Sequence, residues 1–214
     1  DVRMVYSPMD ALDIARKNPH KNVVFFGLGF ETTMPSTALT LLQADREGIT
    51  NFSLFCNHIT IIPTIKAILD SPDMVIDGFL GPGHVSMVIG KAPYDFIASH
   101  YKRPLVIAGF EPLHILQSML MVVEQIRDGK ALVENQYKRI VPEQGNNNAL
   151  KAVGEVFELR EFFEWRGLGS IDHSGVRIRE KYARFDAERL FAVEPAHVAD
   201  PKACPCGEVL KGVL

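Results

Sequence analysis

From Val2 to Phe110 the chain repeats one pattern: a short run of β-favouring apolar residues, a turn, then a longer stretch with helical spacing. This alternation restricts the fold more than any other feature. Parallel strands need crossover connections, and helices supply them. Strands are expected at Val2–Tyr6, Asn22–Gly29, Asn51–His58, Met74–Gly81 and Pro104–Phe110. The second of these, NVVFFGLG, is apolar on both faces, as a buried central parallel strand is. Between them, Ser7 is placed as an N-cap with Pro8 at the first helical position and Asp10 in the first turn. Pro35–Gly48 reads as a helix closed by Gly48, and IPTIKAILDSP as one stopped at Ser71-Pro72. Glu111–Lys130 reads as a long helix with an apolar stripe that ends at Gly129, and its Met119 and Met121 read as packing residues. Tyr137–Val141 is expected as a strand and GNNNALKAVGEVFE as a helix. The fold class that follows is α/β: an open, mostly parallel sheet flanked by helices in Rossmann-like layers, with an irregular C-terminal extension after Glu158.

Composition narrows the function classes. Apolar residues make up 47% and charged residues 23%, with a net charge of −3. That balance gives no concentrated positive field, so a nucleic-acid partner is not expected. No apolar run approaches the ~18 residues of a membrane span. The N-terminal DVRMVYSP has no signal-peptide pattern. It also lacks an initiator methionine and opens inside an expected strand, so the chain reads as part of a longer polypeptide. Three cysteines do not make a secreted disulfide framework, and a cytoplasmic location is expected.

In open parallel sheets, ligands bind outside the carboxyl ends of the strands. Four turns occupy that position: Gly29-Phe30-Glu31-Thr32-Thr33, Asn57-His58, Gly81-Pro82-Gly83-His84-Val85-Ser86 and Gly109-Phe110-Glu111-Pro112. If the strands share one sheet, the four turns lie on one rim. The glycines allow close backbone approach to a ligand. Thr32 and Thr33 can cap the following helix or offer hydroxyls to an anion. Glu31 and Glu111 can act as acceptors or general bases, or sit as first-turn carboxylates favoured by the helix dipole. His84 is either a rim residue or a structural histidine, and His58 either a surface or a supporting one. There is no phosphate loop, no GxGxxG and no nucleophile elbow. From the residues alone, an α/β enzyme using Glu31, His84 and Glu111, with or without a divalent metal, and a protein-interaction module are both open. Cys56 reads as a small buried hydrophobe. Cys204-Pro205-Cys206-Gly207 is a C-x-C pair that suits a metal, an iron–sulfur cluster or a redox disulfide.

GFETT, GPGHVS, GFEPL, WRGLGSI, YARFDAE and CPCGEVLKG occur here in the order in which they occur in the hydrogenase maturation factor HypD family, which the chain resembles over essentially its whole length. The resemblance implies a cytoplasmic iron–sulfur protein of two α/β domains and a cluster-bearing part. With a HypC-type chaperone it would form the scaffold on which the Fe(CN)2CO group of nickel–iron hydrogenases is assembled. Cyanide would arrive from a HypE-type donor, itself supplied by HypF. The resemblance places Glu31, Thr32, Thr33, His84, Ser86 and Glu111 in the reactive cleft, lined by Gly29, Phe30, Gly81, Pro82, Gly83, Val85, Gly109 and Phe110. It makes Cys204 a ligand of a 4Fe–4S cluster and Cys206 a redox thiol. The expected organisation is an α/β domain over 1–130, connecting elements and extension over 131–200, and the start of the cluster region over 201–214. The family's upstream Cys-Gly-x-His motif, whose cysteine holds the iron, and most of its C-terminal cysteines are not in this sequence.

Overall fold

A computed structural model describes residues 1–191, 193, 199–201 and 203–214. The remaining positions of the expected 131–200 and 201–214 segments lie outside the described residues. In chain order the elements begin with α1 (Pro8–Lys17), β1 (Val23–Gly29), α2 (Met34–Arg46), β2 (Phe52–His58), α3 (Ile61–Leu69), β3 (Phe79–Pro82), α4 (Gly83–Ile89), α5 (Asp95–Ser99) and β4 (Leu105–Ala108). They continue with α6 (Pro112–Arg127), β5 (Val133–Asn135), α7 (Asn147–Val156), β6 (Phe157–Leu159), β7 (Phe162–Trp165), β8 (Gly169–Asp172), β9 (Val176–Ile178), α8 (Ala187–Leu190) and α9 (Cys206–Lys211). The class is α/β, with parallel sheets flanked by helices. No helix among the described residues is long and apolar enough to cross a membrane.

The chain divides into two compact units, each made of three segments. The first comprises Asp1–Ile61, Lys151–Phe163 and Asp172–Ala199; the second comprises Ile62–Leu150, Glu164–Ile171 and Asp200–Leu214. In the first unit β1 and β2 pair in parallel with Gly29 opposite His58. The entry to α1 forms as its sequence dictates. Ser7 Oγ accepts from Asp10 N at 3.2 Å, and Asp10 Oδ2 accepts from Ser7 N at 2.9 Å. Leu12, Ala15, Met34, Ala38, Leu41, Leu54, Val156, Ile178 and Phe185 make one buried core.

The strands expected on one sheet fall on separate sheets, because the second edge of β2 is already taken. Leu54 forms a parallel bridge with Asp186, and Ile59 an antiparallel bridge with Gly175. Thr60 N donates to Ser174 O at 2.9 Å, and Cys56 Sγ donates to Val176 O at 3.4 Å. The extension thus supplies β9, which pairs antiparallel with β6 at the end of the expected GNNNALKAVGEVFE helix. Among the described residues β1 has β2 as its sole partner in the sheet and is not a central buried strand. Val24, Phe26 and Leu28 are exposed, at 46%, 57% and 63%. The expected strand Val2–Tyr6 is extended but pairs with no strand among the described residues.

In the second unit β3, β4 and β5 form a parallel sheet in that order. Leu105, Val106 and Ile107 of β4 are fully buried, as the central strand requires. Of the expected strand Met74–Gly81, the part before Phe79 is irregular. Tyr137–Val141 is a turn: Ile140 N and Val141 N both donate to Tyr137 O at 3.0 Å, which withdraws those amides from any ladder. The strand lies upstream, at β5. The turn after β3 continues directly into α4, so Gly83–Ser86 is helical where a loop is expected.

Phe185 is 1% exposed and belongs to the segment that closes the edge of β2. Phe185→Ala is expected to cost about 3–5 kcal/mol in denaturant unfolding. A loss below about 1 kcal/mol would show that this segment does not pack there.

Candidate functional site

The first unit builds its turn from the parallel register of β1 and β2. Gly29 has φ +149°, and a Cβ there would collide with the Thr33 hydroxyl. Thr33 is the N-cap of α2, yet its side chain makes no capping bond. Its Oγ1 donates back to Phe30 O at 3.2 Å. Thr32 is exposed. Across the register, His58 is 1% exposed, with Nε2 3.2 Å from Thr37 Oγ1 and Nδ1 3.4 Å from Gly29 O. Burial pushes its pKa down, so the ring is held neutral. Beside it lies a cavity of about 190 Å³, lined by Ser7, Phe25, Leu28, Thr33, Thr37 and His58 among others.

Glu31 is 8% exposed. Its Oε1 accepts from Ile61 N at 3.0 Å, and its Oε2 has no hydrogen-bond partner. Burial raises its pKa, partly offset by backbone hydrogen bonds. Burial disfavours the charged form of this carboxyl, and no protein hydrogen bond to Oε2 offsets that effect.

The second unit gathers its turns at the carboxyl ends of β3 and β4. Gly83 must lack a side chain, since a Cβ would strike Ala108 O. His84 is exposed and stacks on Phe110, with ring centroids 4.3 Å apart and 24° between planes. Ser86 is fully buried: its Oγ donates to Pro82 O at 2.8 Å and lies 3.2 Å from the Tyr94 hydroxyl. That hydroxyl is engaged inside the fold. Val85 is also buried, while Gly81 packs on Leu105 and Ile107. Glu111 is the N-cap of α6, and its Oε2 lies 2.5 Å from His114 Nδ1. Its own backbone amide and, to a smaller extent, His114 hold its carboxyl below the usual range. Gly109 N donates to Gln136 Oε1 at 3.3 Å.

Glu31, Thr32 and Thr33 therefore join His58 in one unit, while His84 joins Phe110 and Glu111 joins His114 in the other. These turns end two different sheets. Sequence reasoning left out Thr37 and His114 and read His58 as a surface or supporting residue. The signal for His114 was present: three residues after Glu111 at a helix start, it shares a face with that carboxylate.

The two C-terminal thiols lie together, Cys204 Sγ 3.0 Å from Cys206 Sγ and not bonded. The hydrogen bond from Cys206, and then Arg166, lower the Cys204 pKa, while Cys204 raises that of Cys206. Gly207 sits against the Gly167 carbonyl, with no room for a Cβ, and Asp200 Oδ2 accepts from Gly167 N at 2.8 Å. The WRGLG turn and the CPCG segment are thus one packed structure. A 4Fe–4S cluster takes four thiolates. Cys56, the third cysteine, is buried in the first unit, and its thiol pKa is pushed up to about 11 by burial. The ligand set here does not fit a complete cluster.

The sequence model of a family described as "HypD: Hydrogenase formation hypA family" matches residues 1–214. The hydrogenase maturation factor HypD of Rhodobacter capsulatus is 60% identical over 99% of this chain, and that of Escherichia coli strain K12 is 56% identical over 99%. The hydrogenase expression/formation protein HupD of Azotobacter chroococcum is 53% identical over 99%. In each case the match covers 57% of the relative, so the chain spans a little over half the length of these proteins.

Because burial raises the Glu31 pKa, the folded chain holds that proton more tightly than the unfolded chain does. This contribution to stability is complete below the ordinary value, 4.5, and is lost as pH rises through the folded value. Glu31→Gln is therefore expected to raise the thermal midpoint at neutral pH and to leave it nearly unchanged near pH ~3.5. An equal effect at both pH values would contradict the buried-acid description.

Proposed function

The chain belongs to the HypD family of hydrogenase maturation factors, and on that premise we propose that it is part of the scaffold on which the Fe(CN)2CO group is assembled. In this reading a HypC-type chaperone shares the scaffold and a HypE-type protein donates cyanide. The group itself is cargo. What supports the reading beyond family membership is the placing of the motif residues. In both units they stand at the carboxyl ends of parallel strands, the position where open α/β sheets bind ligands.

The chemistry of the cargo suits these groups. Iron-bound cyanide carries partial negative charge on nitrogen and accepts hydrogen bonds. The Thr32 hydroxyl in the first unit and a His84 ring N–H in the second are donors of the right kind, while Thr33 is spent on Phe30 O. Glu31, buried with Oε2 unpartnered, is the best placed of the candidates to give a proton to a ligand nitrogen and take it back. The stacked Phe110 holds the His84 ring in one orientation. Ser86 contributes by fixing the turn that carries His84, and Val85, Gly81, Pro82 and Gly83 shape it.

The reading also assigns Cys204 as one ligand of a 4Fe–4S cluster and Cys206 as a redox thiol. Two thiols cannot complete such a cluster, so no step is derived through it. A reducing, cytoplasmic setting accords with free thiols at this spacing.

The test uses the full-length protein carrying this sequence. Glu31→Gln and His84→Ala are each expected to weaken the infrared bands of iron-bound CN and CO by about 10-fold or more, with a matching loss of hydrogenase maturation. Bands and maturation at the unsubstituted level in both variants would remove these residues from the scaffold's working surface.

A further inference from the structure

We propose that His114 is the proton-exchanging residue of the second unit's turn and that Glu111 is its positioning residue, because the Glu111 carboxylate engages His114 Nδ1 and leaves Nε2 free. This rests on the maturation reading and names the group that acts on the bound ligand there. The geometry is specific. Glu111 Oε2 lies 2.5 Å from His114 Nδ1, three residues apart at the start of α6. A carboxylate accepts only, so Nδ1 carries the hydrogen and donates it. In the neutral ring Nε2 then holds the lone pair, and among the described residues no side chain or backbone group hydrogen-bonds to it.

The surroundings keep the ring in that pose. Gly109 must be glycine for the imidazole to fit, since a Cβ there would collide with Nδ1. The Tyr137 ring packs against the imidazole at 5.6 Å between centroids, tilted by 52°. Gly109 N is tied to Gln136, and Gln136 Nε2 donates to Gln117 Oε1 at 3.1 Å, which fixes the backbone beneath the pair. Charged and titratable groups facing the pair are Tyr137 and Arg139, the latter acting on Glu111. His114 keeps a quarter of its side chain exposed, so a ligand can reach it.

A carboxylate–imidazole pair of this kind orients the ring and stabilises the imidazolium. A proton leaves an N–H or O–H of the bound ligand, or a water beside it, and arrives at His114 Nε2. The ligand atom keeps the electron pair. The ring becomes imidazolium opposite the Glu111 carboxylate, and the same Nε2 returns the proton. No electrons change hands and the carboxylate stays ionised. Glu111 itself is held below the ordinary carboxylate range and is engaged by Nδ1.

The experiment follows the growth of the CN and CO infrared bands on the full-length protein with its maturation partners. His114→Ala is expected to slow growth about 100-fold, and added imidazole to restore part of the rate. Glu111→Gln should slow growth in the natural background and have no effect in the His114→Ala background. Growth at the unsubstituted rate in His114→Ala overturns the proposal. So does a loss that imidazole leaves untouched, or two effects that multiply. No bands on the unsubstituted protein would overturn the maturation reading itself. Nitrogen-15 spectra of the ring, which need no maturation partners, separate the two failures. The Nδ1–H tautomer, lost in Glu111→Gln, is expected; an Nε2–H tautomer in the unsubstituted protein overturns the proposal whatever the fate of that reading.

Discussion

Strand β2 is held on both edges, and the arrangement of the chain depends on that. One edge pairs with β1 in parallel, and the other is occupied by residues from Ser174 to Asp186. Bridges at Leu54 and, just past the strand, at Ile59 occupy part of the second edge, and β3, β4 and β5 form a sheet of their own. The burial of Leu54, Cys56 and His58 follows from the same enclosure. So does the neutral state of His58, which is desolvated between Thr37 and the Gly29 carbonyl.

Enclosure also explains why the two turns differ in chemistry. The Gly29–Thr33 turn closes over packed structure, and Glu31 ends up buried with an oxygen that no protein group satisfies. Such a group costs stability unless it stays protonated or meets a ligand. The Gly109–Glu111 turn opens outward, so Glu111 remains an ionised, exposed acceptor and can serve a histidine on the same helix face. Two glutamates in one sequence motif, Gly-Phe-Glu, thereby have their proton affinities pushed in opposite directions, up at Glu31 and down at Glu111. The motif sets the backbone, and local packing sets the proton.

Much of the fold is legible in residues that act locally. Ser7 and Asp10 form a reciprocal cap, Gly48 and Gly129 leave their helices with positive φ, and Glu111–Lys130 is helical as α6, although Leu116, Met119, Leu120 and Val123 of its apolar stripe are exposed instead of packed. Pairing between distant segments is not legible in this way. Nothing near Leu54 announces Asp186 as a neighbour, and the apolar run of β1 reads as central although it stands at a sheet edge with Phe26 exposed. Tyr137–Val141 has strand-like residues, yet its amides fold back on Tyr137 O, while short β5 beside it makes the ladder. At the site, the candidate turns were found through their glycines and strand-end positions. The roles of His58 and His114 depend on partners distant in sequence or set by helix geometry, and the Ser86 hydroxyl is occupied by Pro82 O.

The most direct test of this account is native-state hydrogen exchange along β2 and just beyond it. The amides of Phe52–His58, Ile59, which donates to Gly29 O, and Thr60, which donates to Ser174 O, should exchange among the slowest in the chain, through opening of the whole first unit. Fast exchange at Ile59 and Thr60 would mean that the 174–186 segment does not hold that edge. The division into two separate sheets would then lose its physical cause.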